Sequence, residues 1–164
     1  MFAGKMRQAA LAVAVALAFA GPVTGPALAA GDVHQHAGAA GELKLVLNQG
    51  QKWTTDAPLR QGMDNIRGAL ANDVKAIHAN KATPKQYEAL AAKVAGEVAG
   101  IVQNCKLEPA ADEQLHLVIA ELMAGAEAME GKVKGETRRA GAERVAKALN
   151  AYGEHFDHAG WKRL

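Results

Sequence analysis

The chain has 164 residues, 49% of them hydrophobic but only 4% aromatic, and 19 Lys+Arg against 17 Asp+Glu give a formal charge of +2. That length allows one small domain, the single cysteine excludes an internal disulfide framework, and so slight a charge is not the footprint of a general nucleic-acid binder. Even the basic excess is local, because Lys5 and Arg7 are the only charged residues before Asp32 and the chain beyond them is electrically balanced.

Residues 1–29 begin with Lys5 and Arg7, continue as an apolar run over 9–20, and break at Gly21-Pro22 and Gly25-Pro26. They end in Ala27-Leu28-Ala29, an A-x-A cleavage pattern. The apolar run is shorter than the roughly 20 residues that cross a bilayer. This reads as a cleaved signal peptide, exporting a soluble mature chain to the periplasm or beyond the cell. Residues 30–54 follow as a flexible tail carrying His34 and His36 and then an extended arm, in which Leu43, Leu45 and Leu47 alternate before Asn48-Gln49-Gly50.

Four helical segments fill residues 55–164. Thr55-Asp56 caps the first, with Pro58 in its opening turn and Leu59, Met63, Ile66, Leu70, Val74 and Ile77 as its apolar stripe. The second opens on Thr83-Pro84-Lys85-Gln86, a capping box, and its stripe is Tyr87, Leu90, Val94, Val98, Ile101 and Cys105. The third starts near Pro109, has Asp112 and Glu113 close to the positive end of its dipole, and carries Leu115, Ile119, Leu122, Ala126, Met129 and Val133. The fourth, from about Glu136, carries Ala142, Val145, Leu149, Tyr152 and Phe156. The links at 80–83, 105–108 and 131–135 are short, which makes successive helices antiparallel neighbours. The expected fold is all-α, an up-down-up-down four-helix bundle.

In that topology the start of the first helix, the end of the second, the start of the third and the end of the fourth share one pole. Met63 and His116 would lie about 10 Å inside it, with Cys105, His155 and His158 at helix exits and Trp53 and Trp161 flanking. Thioether, imidazole and thiolate together suit copper, above all Cu(I), and Met with His also suits haem iron. Candidate metal ligands are therefore Met63, Cys105, His116, His155 and His158, with His34 and His36 of the tail capturing metal weakly; a haem would draw on Met63 and His155. Each position also has an ordinary reading: Met63 as core filler, His116 as a boundary residue, His155 as a favourable charge at a helix end and Cys105 as a small buried hydrophobe or an intermolecular crosslink.

Met63 followed by Ile66, with Ala151-Tyr152 and a histidine near the end of the fourth helix, resembles cytochrome b562, a periplasmic bundle whose haem is held by Met and His. In that family the histidine directly follows the Ala-Tyr pair, whereas here Gly153-Glu154 intervene before His155. Over nearly the whole mature chain the sequence is similar to secreted proteobacterial proteins labelled DnrO-like. The shared segments are Lys52-Trp53-Thr54-Thr55-Asp56, Leu59-Arg60-Gln61-Gly62-Met63, Asn104-Cys105-Lys106-Leu107, Asp112-Glu113-Gln114-Leu115-His116 and Tyr152-Gly153-Glu154-His155-Phe156-Asp157-His158, with Ala159 where the group commonly has proline. That resemblance implies export and a helical bundle and brings no activity with it.

No G-x-S-x-G, Walker loop, H-E-x-x-H, dinucleotide fingerprint or C-x-x-C-H occurs. Glu113 and His116 make a single Glu-x-x-His pair, half of what a ferritin-like di-iron centre needs. The expectation is a non-enzymatic exported protein that binds a transition metal, copper before haem, with homodimerisation through Cys105 as a further option. The alternative is a cofactor-free helical binding module or adaptor that docks a protein partner at the same pole.

Overall fold

The computed structural model describes residues 43–164, so the signal peptide expected over 1–29, and His34 and His36 of the tail, lie outside the described residues. Four helices account for most of what is described: α1 (Ala57–His78), α2 (Pro84–Asn104), α3 (Pro109–Met129) and α4 (Arg138–His155), with no β-strand among the described residues. The fold is an all-helical four-helix bundle.

Each helix starts where the chain supplies partners for unpaired backbone N–H groups. The Asp56 carboxylate accepts from Leu59 N at 2.9 Å to open α1. At α2 the Thr83 hydroxyl accepts from Gln86 N at 3.3 Å while the Gln86 side-chain oxygen accepts from Thr83 N at 2.9 Å, the reciprocal capping box. Helix α3 has no side-chain cap bond at Glu108 and relies on Pro109 and on Asp112 in its first turn. Thr137 caps α4, so that helix starts slightly beyond the expected Glu136. Gly131 (φ 79°) turns the chain after α3, and Val133, expected as the last member of the third stripe, lies in the loop instead.

The helical periodicity becomes the core. Leu59, Met63, Ile66 and Leu70 of α1 meet Leu90, Val94, Val98 and Ile101 of α2, Leu115, Val118 and Leu122 of α3, and Val145, Leu149 and Tyr152 of α4, all buried. Burying each such aliphatic side chain contributes about 1.5–3 kcal/mol. The most extensive helix pairing is α3 with α4, and glycine is the reason. A Cβ on Gly141 would stand 2.5 Å from the Gly125 carbonyl oxygen and 2.7 Å from Met129 N, and one on Gly125 would stand 2.8 Å from the Gly141 oxygen. The two backbones touch there, as only residues without a Cβ permit.

Residues 43–56, the described part of the arm before α1, form no strand. Asn48 and Gln51 exchange two backbone hydrogen bonds of 2.8 Å around Gln49 (φ 50°) and Gly50 (φ 83°), a tight turn with both central residues left-handed. Val46 N donates to the Gln114 side chain at 2.9 Å and Trp53 Nε1 donates to Val46 O at 2.7 Å. Leu43 and Leu45 are half-buried, but Leu47, expected on the same side, is exposed because the turn carries it away. Further on, Trp53 N donates to His155 O and Asp157 N to Trp53 O, both at 2.8 Å, tying the approach to α1 onto the exit of α4. No described helix is long and apolar enough to cross a membrane.

Candidate functional site

Several of the candidate residues stand around the entry to α1. The Asp56 carboxylate, besides capping that helix, accepts from Lys106 N at 2.6 Å and so fixes the exit of α2 beside the start of α1. Cys105 is the residue after α2 and is half-buried. Burial, first, and the neighbouring Asp56 and Asp112 carboxylates push its thiol up to about 11, so it is a protonated thiol at neutral pH.

Across from it, His116 stands in the second turn of α3 with its side chain 63% exposed. Its Nδ1 lies 2.9 Å from the Asp112 carbonyl oxygen and 3.4 Å from the Asp112 carboxylate. Both neighbours can only accept, so Nδ1 carries the proton and Nε2 keeps a free lone pair, the tautomer a metal-ligating histidine uses. Cys105, Asp112 and His116 line one open cleft of about 250 Å³, walled by Ile101, Leu115 and Ile119. Val102, 62% exposed, stands at its rim.

No family model, no curated protein and no solved structure matches this chain. The chemistry of the pole therefore rests on its own residues.

The other candidates are spent differently. Met63 has no exposed surface and is enclosed by the core, so no side of its thioether is open to a haem or to the cleft. Met63 and His116 face in different directions: a core stripe position points Met63 inward, while His116, one residue past core Leu115, points out. His155 ends α4, and its Nδ1 donates to the Ala151 carbonyl at 2.9 Å, which leaves Nε2 free as at His116, but His155 is not among the residues that line the cleft. Met63 and His155 as they stand do not fit a haem. His158 uses both ring nitrogens, Nδ1 at 3.0 Å from the Tyr152 hydroxyl and Nε2 at 3.3 Å from the Asp64 carboxylate. Among the described residues, no three His, Cys, Asp or Glu side chains stand close enough together to hold a metal ion without moving.

Asp64 is a residue the sequence does not single out, and Tyr152 and Gly153, expected only as a stripe position and as a spacer before His155, have further roles: Asp64 and Tyr152 hold His158, and Gly153 lets Trp161 lie against α4. A Cβ on Gly153 would fall 2.1 Å from Trp161 Cδ1. Gly153 inside an otherwise good helix was the available signal, since a glycine there commonly marks a close approach. The basic residues of α4 are balanced by carboxylates, but not all are solvated: Arg139 pairs with Glu143 at 2.8 Å near the surface, whereas Arg144, its side chain 17% exposed, pairs with Glu136 at 3.1 Å. A second hollow of about 330 Å³ is lined by Thr54, Thr55, Arg60, Asp157 and Ala159, where the Arg60 guanidinium is already bonded to Thr55.

Proposed function

We propose that this is an exported, periplasmic, non-enzymatic four-helix-bundle protein that binds Cu(I) through Cys105 and His116. The observation that carries the reading is that these two side chains line one open cleft. Thiolate and imidazole are a soft and a borderline donor, and Cu(I) accepts low coordination numbers, so two protein ligands suffice where Zn²⁺ would ask for more. Asp112 lines the same cleft, with its carboxylate 3.4 Å from His116 Nδ1. Loading releases the thiol proton, which makes binding stronger as pH rises. Copper ranks above haem because the Met63 thioether is closed off.

The same reading includes an up-down-up-down arrangement of the helices and removal of residues 1–29 on export. The Lys106 to Asp56 and Asp157 to Trp53 bonds at one end support the arrangement, as does the 2.8 Å bond from Arg139 to the Asn80 side chain at the other. The A-x-A pattern of Ala27-Leu28-Ala29 supports the cleavage. The similarity to DnrO-like proteins belongs to this proposal and agrees with export.

Competition for Cu(I) against a chromogenic chelator tests it. The mature protein should withdraw one equivalent, Cys105→Ser should abolish this, and His116→Ala should weaken it severely. Full retention by both variants, or no withdrawal by the parent, defeats the copper reading. The exposure of Val102 at the rim favours a second reading, a cofactor-free adaptor that seats a partner's apolar side chain in the cleft. In that case Val102→Asp abolishes partner capture and metal has no effect.

A further inference from the structure

A second group of chemistry-bearing side chains does not line the cleft, and metal binding makes no use of it. Tyr152 of α4 is wholly buried, and its hydroxyl is 3.0 Å from His158 Nδ1. His158, with its side chain 5% exposed, places Nε2 3.3 Å from the Asp64 carboxylate of α1. The direction of these bonds follows from what each group can do. A carboxylate only accepts, so the neutral imidazole carries its hydrogen on Nε2, its Nδ1 is a lone pair, and the phenol donates to it. Asp64 thus fixes the tautomer that faces Tyr152.

The surroundings keep the phenol from ionising by itself. Burial raises its pKa far above the ordinary value of 10.0, the Asp64 and Asp56 carboxylates act in the same direction, and Arg60 opposes them. A phenol that cannot shed its proton to solvent, but has a base within a hydrogen bond, can lose an electron only together with that proton. An aromatic path leads outward as well. The Tyr152 ring meets Trp161 edge-on at 4.9 Å and stacks on Phe156 at 5.1 Å, and Trp161 is half-buried, open on one side to solvent.

We propose that Tyr152 is a proton-coupled one-electron donor, with His158 as its proton acceptor, Asp64 as the residue that positions His158, and Trp161 as the way out for the electron. The co-reactant is an outer-sphere one-electron oxidant reaching Trp161 from solvent. The oxidant takes one electron from the phenol, the Tyr152 O–H bond breaks, and the proton passes to His158 Nδ1. The products are the reduced oxidant, a neutral phenoxyl radical on Tyr152 and an imidazolium whose charge rests against the Asp64 carboxylate. Reduction returns the electron to the ring and the proton to the phenol oxygen.

The experiment is freeze-quench electron paramagnetic resonance of the metal-free protein after mixing with hexachloroiridate(IV), and it does not depend on copper binding. The chain has two tyrosines, and Tyr152 is the one hydrogen-bonded to a histidine among the described residues. A neutral tyrosyl radical should appear in the parent and in Tyr87→Phe and be lost in Tyr152→Phe. The discriminating variant is His158→Gln, whose amide oxygen can still accept the phenol's hydrogen bond but is not a base. Circular dichroism shows whether it folds, and Asp64→Asn serves as the milder variant if it does not. Loss of the radical in folded His158→Gln, or its reduced yield in Asp64→Asn, supports the proposal. It is overturned by a parent that gives no tyrosyl radical, a signal that survives Tyr152→Phe, or an undiminished yield in the folded variant.

Discussion

The Cys105 thiol sits at the exit of α2 between the Asp56 and Asp112 carboxylates, and burial with those two charges raises it to about 11. The fold favours the protonated form, so its contribution to stability is whole below the ordinary value of 9.0 and is lost as pH rises through about 11. Alkylation by iodoacetamide should therefore be slow at pH 7.5 and should accelerate about tenfold per pH unit up to that point. Asp56→Asn, which keeps a helix cap, should speed alkylation at pH 7.5, as mass spectrometry of the modified fraction would show. This quiet thiol also bears on crosslinking: a disulfide dimer through Cys105 should form slowly in air and be visible on a non-reducing gel only after prolonged oxidation. Gly153 is the opposite case, a residue that matters for what it lacks. Gly153→Ala puts a methyl group onto the Trp161 ring, which must lift away from Tyr152 and His158. The expected cost is about 1–3 kcal/mol in urea unfolding, with a red shift of Trp161 fluorescence. The thiol's property cannot be read from residue type, since it depends on carboxylates brought in from α1 and α3; the glycine marks a close approach, but that Trp161 makes it depends on a chain reversal after α4.

At the scale of elements, caps and stripes make most of the fold legible. The step of three and four that runs through Leu59, Met63, Ile66 and Leu70 can only be buried by a helix, and Thr83 with Gln86 fixes where α2 begins. Thr83→Ala should cost about 1 kcal/mol in thermal or urea unfolding, since it leaves Gln86 N unpaired. The misread positions have local causes. Val133 continues the third stripe numerically, but Gly131 in the left-handed region ends the helix before it, with Arg138 donating to the Met129 carbonyl to close the exposed helix end. The arm over Leu43, Leu45 and Leu47 ends at Gln49-Gly50 as expected, but Leu47, next to that turn, is exposed instead of sharing the side of Leu43 and Leu45. At the α3–α4 crossing, Gly141→Ala drives a methyl group into backbone atoms of Gly125 and Met129, which cannot rotate away as a side chain would. It should destabilise more than Gly153→Ala, a comparison that denaturation midpoints of the two variants make directly.

For the whole molecule, the apolar core carries the stability, and the ion pairs add little. Leu122, without exposed surface, should cost about 2–5 kcal/mol when cut to alanine, against a total of about 5–15 kcal/mol for a domain of this kind. The pairs at Lys93–Glu97 and Arg139–Glu143 are solvent-screened, so raising salt should leave the midpoint almost unchanged. An up-down arrangement would gather distant residues at one pole, which is why Cys105 and His116 could be suspected together from their positions along the chain, and the two do line one cleft. Topology does not say which way each side chain faces: Met63 turns into the core, His158 is taken by Tyr152 and Asp64, and the cleft is left with a thiol, an imidazole and a carboxylate. The most direct test of the copper reading is the X-ray absorption spectrum of the protein lacking residues 1–29 and loaded with one equivalent of Cu(I). A first shell containing one sulfur and one imidazole nitrogen, with the sulfur lost in Cys105→Ser, is the predicted result; a shell of nitrogen and oxygen alone, unchanged in Cys105→Ser, would contradict it.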